Sequence, residues 1–289
     1  MPLYQNDCLL CGCPYELAYP ERFDRDRVNE FSYSSRKEPE LMHFEYLRCE
    51  RCQILFSSSR PSPDELEKEY VNADFDAETE SAYTAKTHWR LMRHWLKESD
   101  TLLDVGCGDG AFIAECGRNG IADRGVEPSP RAAQRTSQEV LECIFVGPYQ
   151  KFSREGTINA LTLFQTIEHL DDPVAFLRWT HDQLSPGGRL MIACHDHLAP
   201  LNRLLRERSP IFDIEHLQLL SRSGLIQLME TAGFKVEFLT RYSNTYPISY
   251  WARLAPVPRG VRKVLSMDRI GTLPIRLPVG NVFGVGRRE

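Results

Sequence analysis

Paired cysteines, a glycine-dense turn flanked by acids and a set of histidines are the residues of this chain whose types and spacing could do chemistry. Cys8-x-x-Cys11 is followed by Cys49-x-x-Cys52. A two-residue gap lets both sulfurs of a pair reach one ion in a tight turn, and two such pairs make a tetrahedral tetrathiolate site. The spacing therefore predicts structural zinc held by Cys8, Cys11, Cys49 and Cys52. Four thiolates leave no open position for catalysis at the ion. Free thiols at chance spacing are the blander reading, and two pairs argue against it. The 37 residues between Cys11 and Cys49 exceed the usual zinc-ribbon interval, so that loop must carry structure of its own. Phe31-Ser32-Tyr33 and Phe44-Glu45-Tyr46-Leu47-Arg48 are its candidate strands, and Cys13 is a spare thiol able to replace Cys11.

The turn lies in Leu102-Leu103-Asp104-Val105-Gly106-Cys107-Gly108-Asp109-Gly110. A short apolar run reads as a buried strand, the glycines at alternate positions as a turn, and Ala111-Phe112-Ile113-Ala114 as the start of a helix. Glycine tolerates positive φ and lets a ligand approach the backbone, while the helix start offers unpaired N–H groups. A P-loop needs Gly-Lys-Ser/Thr after the turn, which is missing. A dinucleotide turn is spaced G-x-G-x-x-G, and Asp109 would repel a diphosphate. The denser spacing suits a small ligand lying against the turn. Glu127, at the end of the next apolar run, is placed to accept both hydroxyls of a ribose. His169, His195, His197 and His216 fall at or beyond the ends of later apolar runs. Ligands of open α/β sheets bind at those ends, and histidine is a general base near neutral pH. Each could equally be a structural histidine, and His169 could merely orient its loop.

The elements that must position these groups follow from periodicity. Residues 57–64 are rich in Ser and Pro and form a boundary, with Ser62 or Asp64 able to cap the acidic helix after it. Trp89, Met92, Trp95 and Leu96 fall at helical spacing, an aromatic stripe expected to pack across the mouth of the main domain. Strands are predicted at 101–105, 124–126, 143–146, 158–164 and 189–194, with amphipathic helices between them. Ser129 with Pro130 marks one helix start, and Ser221 another that ends at Gly233. Lys235–Leu239 and Val282–Val285 complete a seven-strand pattern, while 244–280 has no clear period. Alternating strands and helices predict an α/β fold with a mostly parallel sheet covered on both faces.

Composition limits the function classes. At 289 residues, with 42% hydrophobic and 26% charged, the chain has room for one large α/β domain and a smaller module. A formal net charge of −5 gives no support to nucleic acid as a partner. Met1–Asp7 has no basic region leading into an apolar core, and no apolar run reaches the roughly 18–20 residues of a membrane span. With nine cysteines and no secretion signal, a cytoplasmic location is expected.

At this point the chain resembles the class I S-adenosylmethionine-dependent methyltransferases. The likeness rests on residues 102–110, Gly125-Val126-Glu127-Pro128-Ser129, Thr166-Ile167-Glu168-His169-Leu170-Asp171-Asp172-Pro173 and Leu184-Ser185-Pro186-Gly187-Gly188-Arg189-Leu190. Glu215-His216-Leu217 and Met229-Glu230-Thr231-Ala232-Gly233-Phe234 extend it, so that it spans about residues 85–240 in order. The cysteine pairs resemble a zinc-binding module found ahead of some of these enzymes, including sugar C-methyltransferases. The resemblance implies a Rossmann-like, mostly parallel seven-stranded sheet behind a small zinc-ribbon-like module. The implied division is a zinc module over 1–60, a linker and lid helices over 61–100, a cofactor-binding domain over 101–243 and a basic C-terminal region over 244–289 that returns to the sheet. It further implies S-adenosylmethionine as cofactor, with Gly106, Gly108 and Gly110 around its methionyl and ribose portion. Asp104 would lie near the amino group, Glu127 at the ribose hydroxyls, Gln165 near the sulfonium and residues 147–149 near the adenine. Asn159 departs from the acid common in the family at its position, and no acid follows the third strand.

Methyl transfer from a sulfonium is an in-line displacement, so a base is needed only where the acceptor loses a proton. His216, His195 and His169 are the candidates. The expected acceptor is a small molecule, sugar-, lipid- or natural-product-like. Residues 241–289 carry nine Lys or Arg against two acids, which points to an anionic acceptor or to peripheral contact with a membrane surface. Tyr246, Tyr250 and Trp251 would suit a sugar face or an interface. The alternative is a catalytically silent, zinc-bearing, partner-binding protein that keeps the fold.

Overall fold

Short runs of apolar residues separated by amphipathic helices set the architecture of the chain. The computed structural model describes residues 7–8, 10–28, 32, 40–58, 61–72, 78–97, 100–154, 156–255 and 258–289. Strands are β1 (Tyr15–Tyr19), β2 (Tyr46–Cys49), β3 (Leu55–Ser57), β4 (Thr101–Val105), β5 (Ala122–Glu127) and β6 (Ile144–Val146). They continue with β7 (Ile158–Phe164), β8 (Leu184–His195), β9 (Gln218–Leu219), β10 (Phe234–Pro247) and β11 (Pro274–Arg288). Seven of them form one sheet in the order β10-β11-β8-β7-β4-β5-β6. The pairs among β4 to β8 are parallel, and β11 runs antiparallel to both β8 and β10. This is the mostly parallel α/β sheet the sequence predicts. Leu103, Val105, Leu161, Leu163, Leu190 and Ile192 are fully or almost fully buried in its core.

The N-terminal cysteines sit on a second sheet, four strands in the order β1-β2-β3-β9. Its last strand comes from the far side of the chain: Leu55 pairs with Leu219 and Phe56 with Gln218. The sheet is therefore completed by the loop that carries His216. Phe44–Arg48 contributes β2, whereas Phe31 and Tyr33 of the other candidate strand lie outside the described residues.

Local signals hold at the helix starts. Helix Pro63–Asn72 begins at a capping box, with the Glu65 N–H on Ser62 Oγ at 3.4 Å and the Ser62 N–H on Glu65 Oε2 at 2.9 Å. Ser129 Oγ accepts from the Ala132 N–H at 3.3 Å, and Ser221 Oγ from the Gly224 N–H at 2.9 Å. Asn159 is an anchor remote from the ligand end of the sheet. Its Oδ1 accepts from the Thr101 N–H at 3.1 Å and its Nδ2 donates to Ser185 Oγ at 3.2 Å.

Two readings shift. The aromatic stripe does not cross the mouth: Met92 is fully buried, and Trp89, Trp95 and Leu96 pack on the core beside the helix Ala111–Arg118. One face of the helix Glu78–Met92 looks into the cavity instead, through Glu80, Thr84, Ala85 and His88. The aperiodic stretch after residue 244 also has a structure. β11 pairs with β8 only from Asn281 to Arg287, whereas β10 and β11 continue together as far as Pro247 and Pro274. The end of that hairpin projects past the carboxyl ends of the parallel strands. It is closed by the helices Ile248–Leu254, Arg259–Leu265 and Asp268–Gly271.

Candidate active site

One cavity of about 980 Å³ opens at the carboxyl ends of β4, β5, β7 and β8. Its floor is the glycine turn. Gly106 has φ +76°, Gly108 +55° and Gly110 +70°, so all three sit in the left-handed region that β-carbons oppose. A Cβ on Gly106 would lie 2.5 Å from Thr166 Oγ1, and one on Gly110 would lie 2.6 Å from Val140 Cγ1. The turn is thus closed against its neighbours as well as bent.

Two buried acids border it. Asp104 accepts a hydrogen bond from Thr162 Oγ1 at 2.6 Å, and burial pushes its carboxyl up to about 7. Glu127 accepts from the Gly108 N–H through Oε2 and from the Ser129 N–H through Oε1, both at 2.8 Å. Burial raises it to about 7 as well, against the pull of those two N–H groups. The lining is acidic throughout, with Glu80, Asp109, Asp171, Asp172, Asp213 and Glu215 joining Asp104 and Glu127. Among the described residues that line the cavity there is no Lys or Arg. That field favours a cation and disfavours an anion inside.

Gln165 stands at the end of β7 with φ +56°, a strained value for a side-chain-bearing residue. Its N–H donates to the Ala193 carbonyl at 2.8 Å and its Nε2 to Tyr242 Oη at 3.2 Å. Its Oε1 is buried without a hydrogen-bond partner, as is Glu168 Oε2. Of the two, Gln165 lines the cavity, and an unpartnered buried acceptor at a cavity wall asks for a donor from a ligand.

His169, His195 and His216, from three separate segments of the chain, line the same cavity. The rings of His169 and His216 lie 4.9 Å apart and those of His195 and His216 5.4 Å apart. In each the Nδ1 faces an oxygen acceptor. His169 Nδ1 is 3.0 Å from the Glu215 carbonyl, His216 Nδ1 is 2.8 Å from the Ile211 carbonyl, and His195 Nδ1 is 2.9 Å from Asn281 Oδ1. A carbonyl only accepts, so Nδ1 carries the hydrogen in each ring, and Nε2 keeps the lone pair where the ring is neutral. Burial lowers His169 and His195 to about 4, which keeps both neutral at physiological pH. Buried Glu168 fixes the start of this arrangement by accepting from the His195 N–H at 2.6 Å. His197 goes elsewhere: its Nε2 meets the Gln53 carbonyl at 2.6 Å, on the cysteine module.

Several lining residues carried no sequence signal. His88 lies tilted against Phe164 at 4.1 Å and reaches Tyr242 Oη at 3.3 Å, and behind the lining Asn281 arrives from β11 at the far end of the chain. The outer wall is aromatic, with Tyr246 and Tyr250 at 4.3 Å and Trp251 at 5.2 Å from Tyr246. Tyr149, in the segment expected near the adenine, packs on Phe176 and Trp179 at 4.5 and 4.9 Å and lines the same cavity.

The ligand atoms of Cys8, Cys11, Cys49 and Cys52 all lie within 4.8 Å of one another. Cys8 Sγ is 3.6 Å from Cys52 Sγ and Cys11 Sγ is 3.3 Å from Cys49 Sγ. Four convergent sulfurs, three of them on buried residues, fit one tetrahedral ion. Cys13 is not part of that group.

Residues 75–238 match the methyltransferase domain family. The chain is similar to the ubiquinone biosynthesis O-methyltransferase of Pseudomonas paraeruginosa, 27% identical over 117 residues that cover 36% of this chain and 50% of that protein. It is similar to the protein of the same name from Xanthomonas axonopodis pv. citri, 29% identical over 99 residues covering 32% and 41% of the two chains. The chain thus spans about half the length, or less, of these curated relatives. Among solved structures, an S-adenosylmethionine-dependent methyltransferase from Archaeoglobus fulgidus shares the fold, with a TM-score of 0.51 at 17% identity, covering 78% of this chain and all of that one. With more than half of its residues inside the family match, glycine turn and Glu127 included, the chain belongs to the methyltransferase domain family and has its class I, S-adenosylmethionine-dependent fold.

Proposed function

We propose that this protein transfers a methyl group from S-adenosylmethionine to a hydroxyl of an apolar-bodied small molecule, with His195 as the base. The convergence of three Nδ1-anchored histidines on the cavity of the glycine turn carries the reading. Bound S-adenosylmethionine supplies an electrophilic methyl on a sulfonium, open to in-line displacement. Glu127 accepts the ribose hydroxyls and Asp104 faces the amino group, while Gly106, Gly108 and Gly110 let the backbone approach. The Gln165 amide oxygen meets the donor close to the sulfur. The acidic lining supports this assignment, because the cofactor carries cationic groups and the hydrogen bonds that Asp104 and Glu127 accept come from hydroxyl and N–H donors.

His195 Nε2 accepts the hydroxyl proton, and Asn281 on Nδ1 holds the ring in the tautomer that can do so. His169 and His216 flank the acceptor oxygen. Tyr246, Tyr250 and Trp251 receive the acceptor body, and the lack of Lys and Arg in the lining argues that this body is not anionic there. The O-methyltransferase names of the curated relatives agree with a hydroxyl acceptor. Zinc is held by Cys8, Cys11, Cys49 and Cys52 as a structural ion, with all four positions filled by protein.

Isothermal titration of zinc-loaded protein is expected to show S-adenosylmethionine binding; absence of binding to folded protein refutes the proposal. A panel of phenolic and aliphatic alcohols with labelled cofactor then identifies the acceptor. With that acceptor, His195→Gln is expected to lower kcat by about 10²–10⁴-fold at unchanged cofactor affinity. An unaltered kcat would remove His195 from the mechanism.

A further inference from the structure

Eight of the nine cations of residues 241–289 divide into two sets, and the ninth, Arg262, is half-buried. Arg253 pairs with Glu80, Arg241 with Asp196 and Arg287 with Glu237, and Arg288 donates to the Leu184 carbonyl. Those four serve the fold. Arg259, Lys263, Arg269 and Arg276 are exposed and have no ion-pair partner among the described residues. All four lie on the cap that closes the projecting β10–β11 hairpin, a stretch whose only acid in sequence between 248 and 280 is Asp268.

The same cap exposes large apolar side chains at a spacing of three. Val261, Val264, Met267, Ile270 and Leu273 are 46, 52, 59, 37 and 53% exposed. Ile275 and Leu277 extend the patch along β11. Beneath it an apolar cleft of about 190 Å³ lies between Leu265, Trp251 and Ile275. Leu277, Leu254 and Ala255 of this region also line the main cavity, so the patch continues into its mouth. No helix among the described residues is long and apolar enough to cross a membrane.

Cations interleaved with exposed apolar side chains are the composition of a surface that lies in the interface of an anionic bilayer. A second copy of the chain would bring like charges together on the same face, which disfavours it. An anionic ligand inside the cavity cannot account for these cations either, since none of them lines it.

We propose that the cap formed by residues 258–277 docks on an anionic lipid bilayer, with the mouth of the cavity turned towards the lipid. The docking does not depend on methyl transfer. That a lipid-dissolved acceptor enters by this route rests on the proposed function.

Full-length, zinc-loaded protein should co-sediment with vesicles of phosphatidylcholine and phosphatidylglycerol, and much less with phosphatidylcholine alone. The triple variant Arg259→Ala, Lys263→Ala, Arg269→Ala should bind the anionic vesicles about a hundredfold more weakly. Val264→Ser, Met267→Ser, Ile270→Ser should bind them more weakly still. Both variants should titrate with S-adenosylmethionine as the parent does, which shows that they are folded. Equal binding to both vesicle types, or binding unchanged in the two variants, overturns the proposal. So does a dimer in sedimentation velocity that the apolar variant dissociates, because the face would then be a self-contact. Vesicle binding is read without cofactor or acceptor, so a protein that docks and does not methylate refutes only the proposed function.

Discussion

Glu127→Gln separates two roles that the proposed cofactor site assigns to one carboxyl group. In the ligand-free protein burial lifts Glu127 from 4.5 to about 7, a shift on the order of 3 kcal/mol between its two protonation states. The group is thus half protonated near neutrality, although its oxygens accept from the Gly108 and Ser129 N–H groups. Ribose hydroxyls donating to it favour the ionised form, so cofactor binding must remove the proton. Affinity for S-adenosylmethionine should then fall as pH drops below about 7, by close to tenfold per pH unit for this group. Asp104, also raised to about 7 by burial, adds a second step of the same sign. Glutamine fills the same space, does not titrate and presents an NH₂ to one of two N–H donors. With charge-assisted hydrogen bonds contributing about 1.5–3 kcal/mol, Glu127→Gln should weaken binding by about 10–100-fold at pH 8. Below about pH 7 its slope should be shallower than the parent's by close to one power of ten per unit. Stability moves the other way. A carboxyl raised in the folded state stabilises below its unfolded value, and that contribution is lost as pH rises through about 7. The ligand-free variant should therefore lose less stability than the parent between pH 5 and pH 8. Calorimetric titrations and urea unfolding across that range measure both. An identical binding slope in parent and variant refutes the assignment of Glu127 to the ribose.

Three further outcomes test neighbouring parts of the structure. Because burial holds His195 and His169 at about 4, kcat at saturating cofactor should stay level from pH 8 to about 5 and fall only through about 4; an acid limb centred near 6.5 would mean a solvated base. Gly106→Ala adds a Cβ at φ +76° and 2.5 Å from Thr166 Oγ1, costing about 2–4 kcal/mol in urea unfolding. Thr166→Ala in the same chain should recover the steric part of that cost and leave the backbone part, whereas strict additivity would show that the two residues do not collide. Chelation of the metal should lower Tm and shift the ring resonances of His216 and His169, while the Glu127-dependent titration with cofactor persists in protein that remains folded.

The central sheet and its glycine turn were legible because their signals are local. An apolar run, three glycines and a helix start occupy ten residues, and the φ values of Gly106, Gly108 and Gly110 are the ones that spacing requires. The histidines were legible one at a time and not as a group. His169, His195 and His216 lie in separate segments, and what joins them is the Nδ1 acceptor each finds in Glu215, Asn281 or Ile211. No periodicity encodes a contact between β8 and a strand 86 residues later. The aromatic stripe misled for a related reason. Helical spacing identifies a buried face, and Met92 is buried, but it does not say which core receives it. The cavity-facing side of that helix is mostly polar, Glu80, Thr84 and His88, and polar residues carry no periodic signal for a ligand wall. The hairpin beyond residue 244 stayed hidden because its strands pair mainly with each other and its cap leaves apolar side chains exposed.

The cysteine module is tied to the proposed active site by its own backbone, which would give a structural ion there a role. Cys49 and Cys52 bracket the turn between β2 and β3, and β3 pairs with β9. The Ser57 N–H donates to the Leu217 carbonyl at 2.8 Å and Tyr46 Oη to the His216 carbonyl at 2.5 Å, so the residues that hold His216 are anchored on the module. From the other side, the Leu217 N–H donates to the Glu168 carbonyl at 2.9 Å, and Gln218 Nε2 donates to the Leu170 carbonyl at 2.8 Å. These bonds grip the turn that bears His169. The Cys52 carbonyl in turn accepts from Ser221 Oγ at 2.9 Å and Ser223 Oγ at 3.1 Å, at the start of the next helix. A two-residue strand such as β9 has too few ladder bonds to hold its own register, and its stability is borrowed from the sheet it joins. That sheet is small, and four thiolates on one ion would supply the cross-link that a small core cannot. Loosening the sulfurs should therefore free β9 first and His216 with it, before anything reaches the glycine turn on the far side of β7.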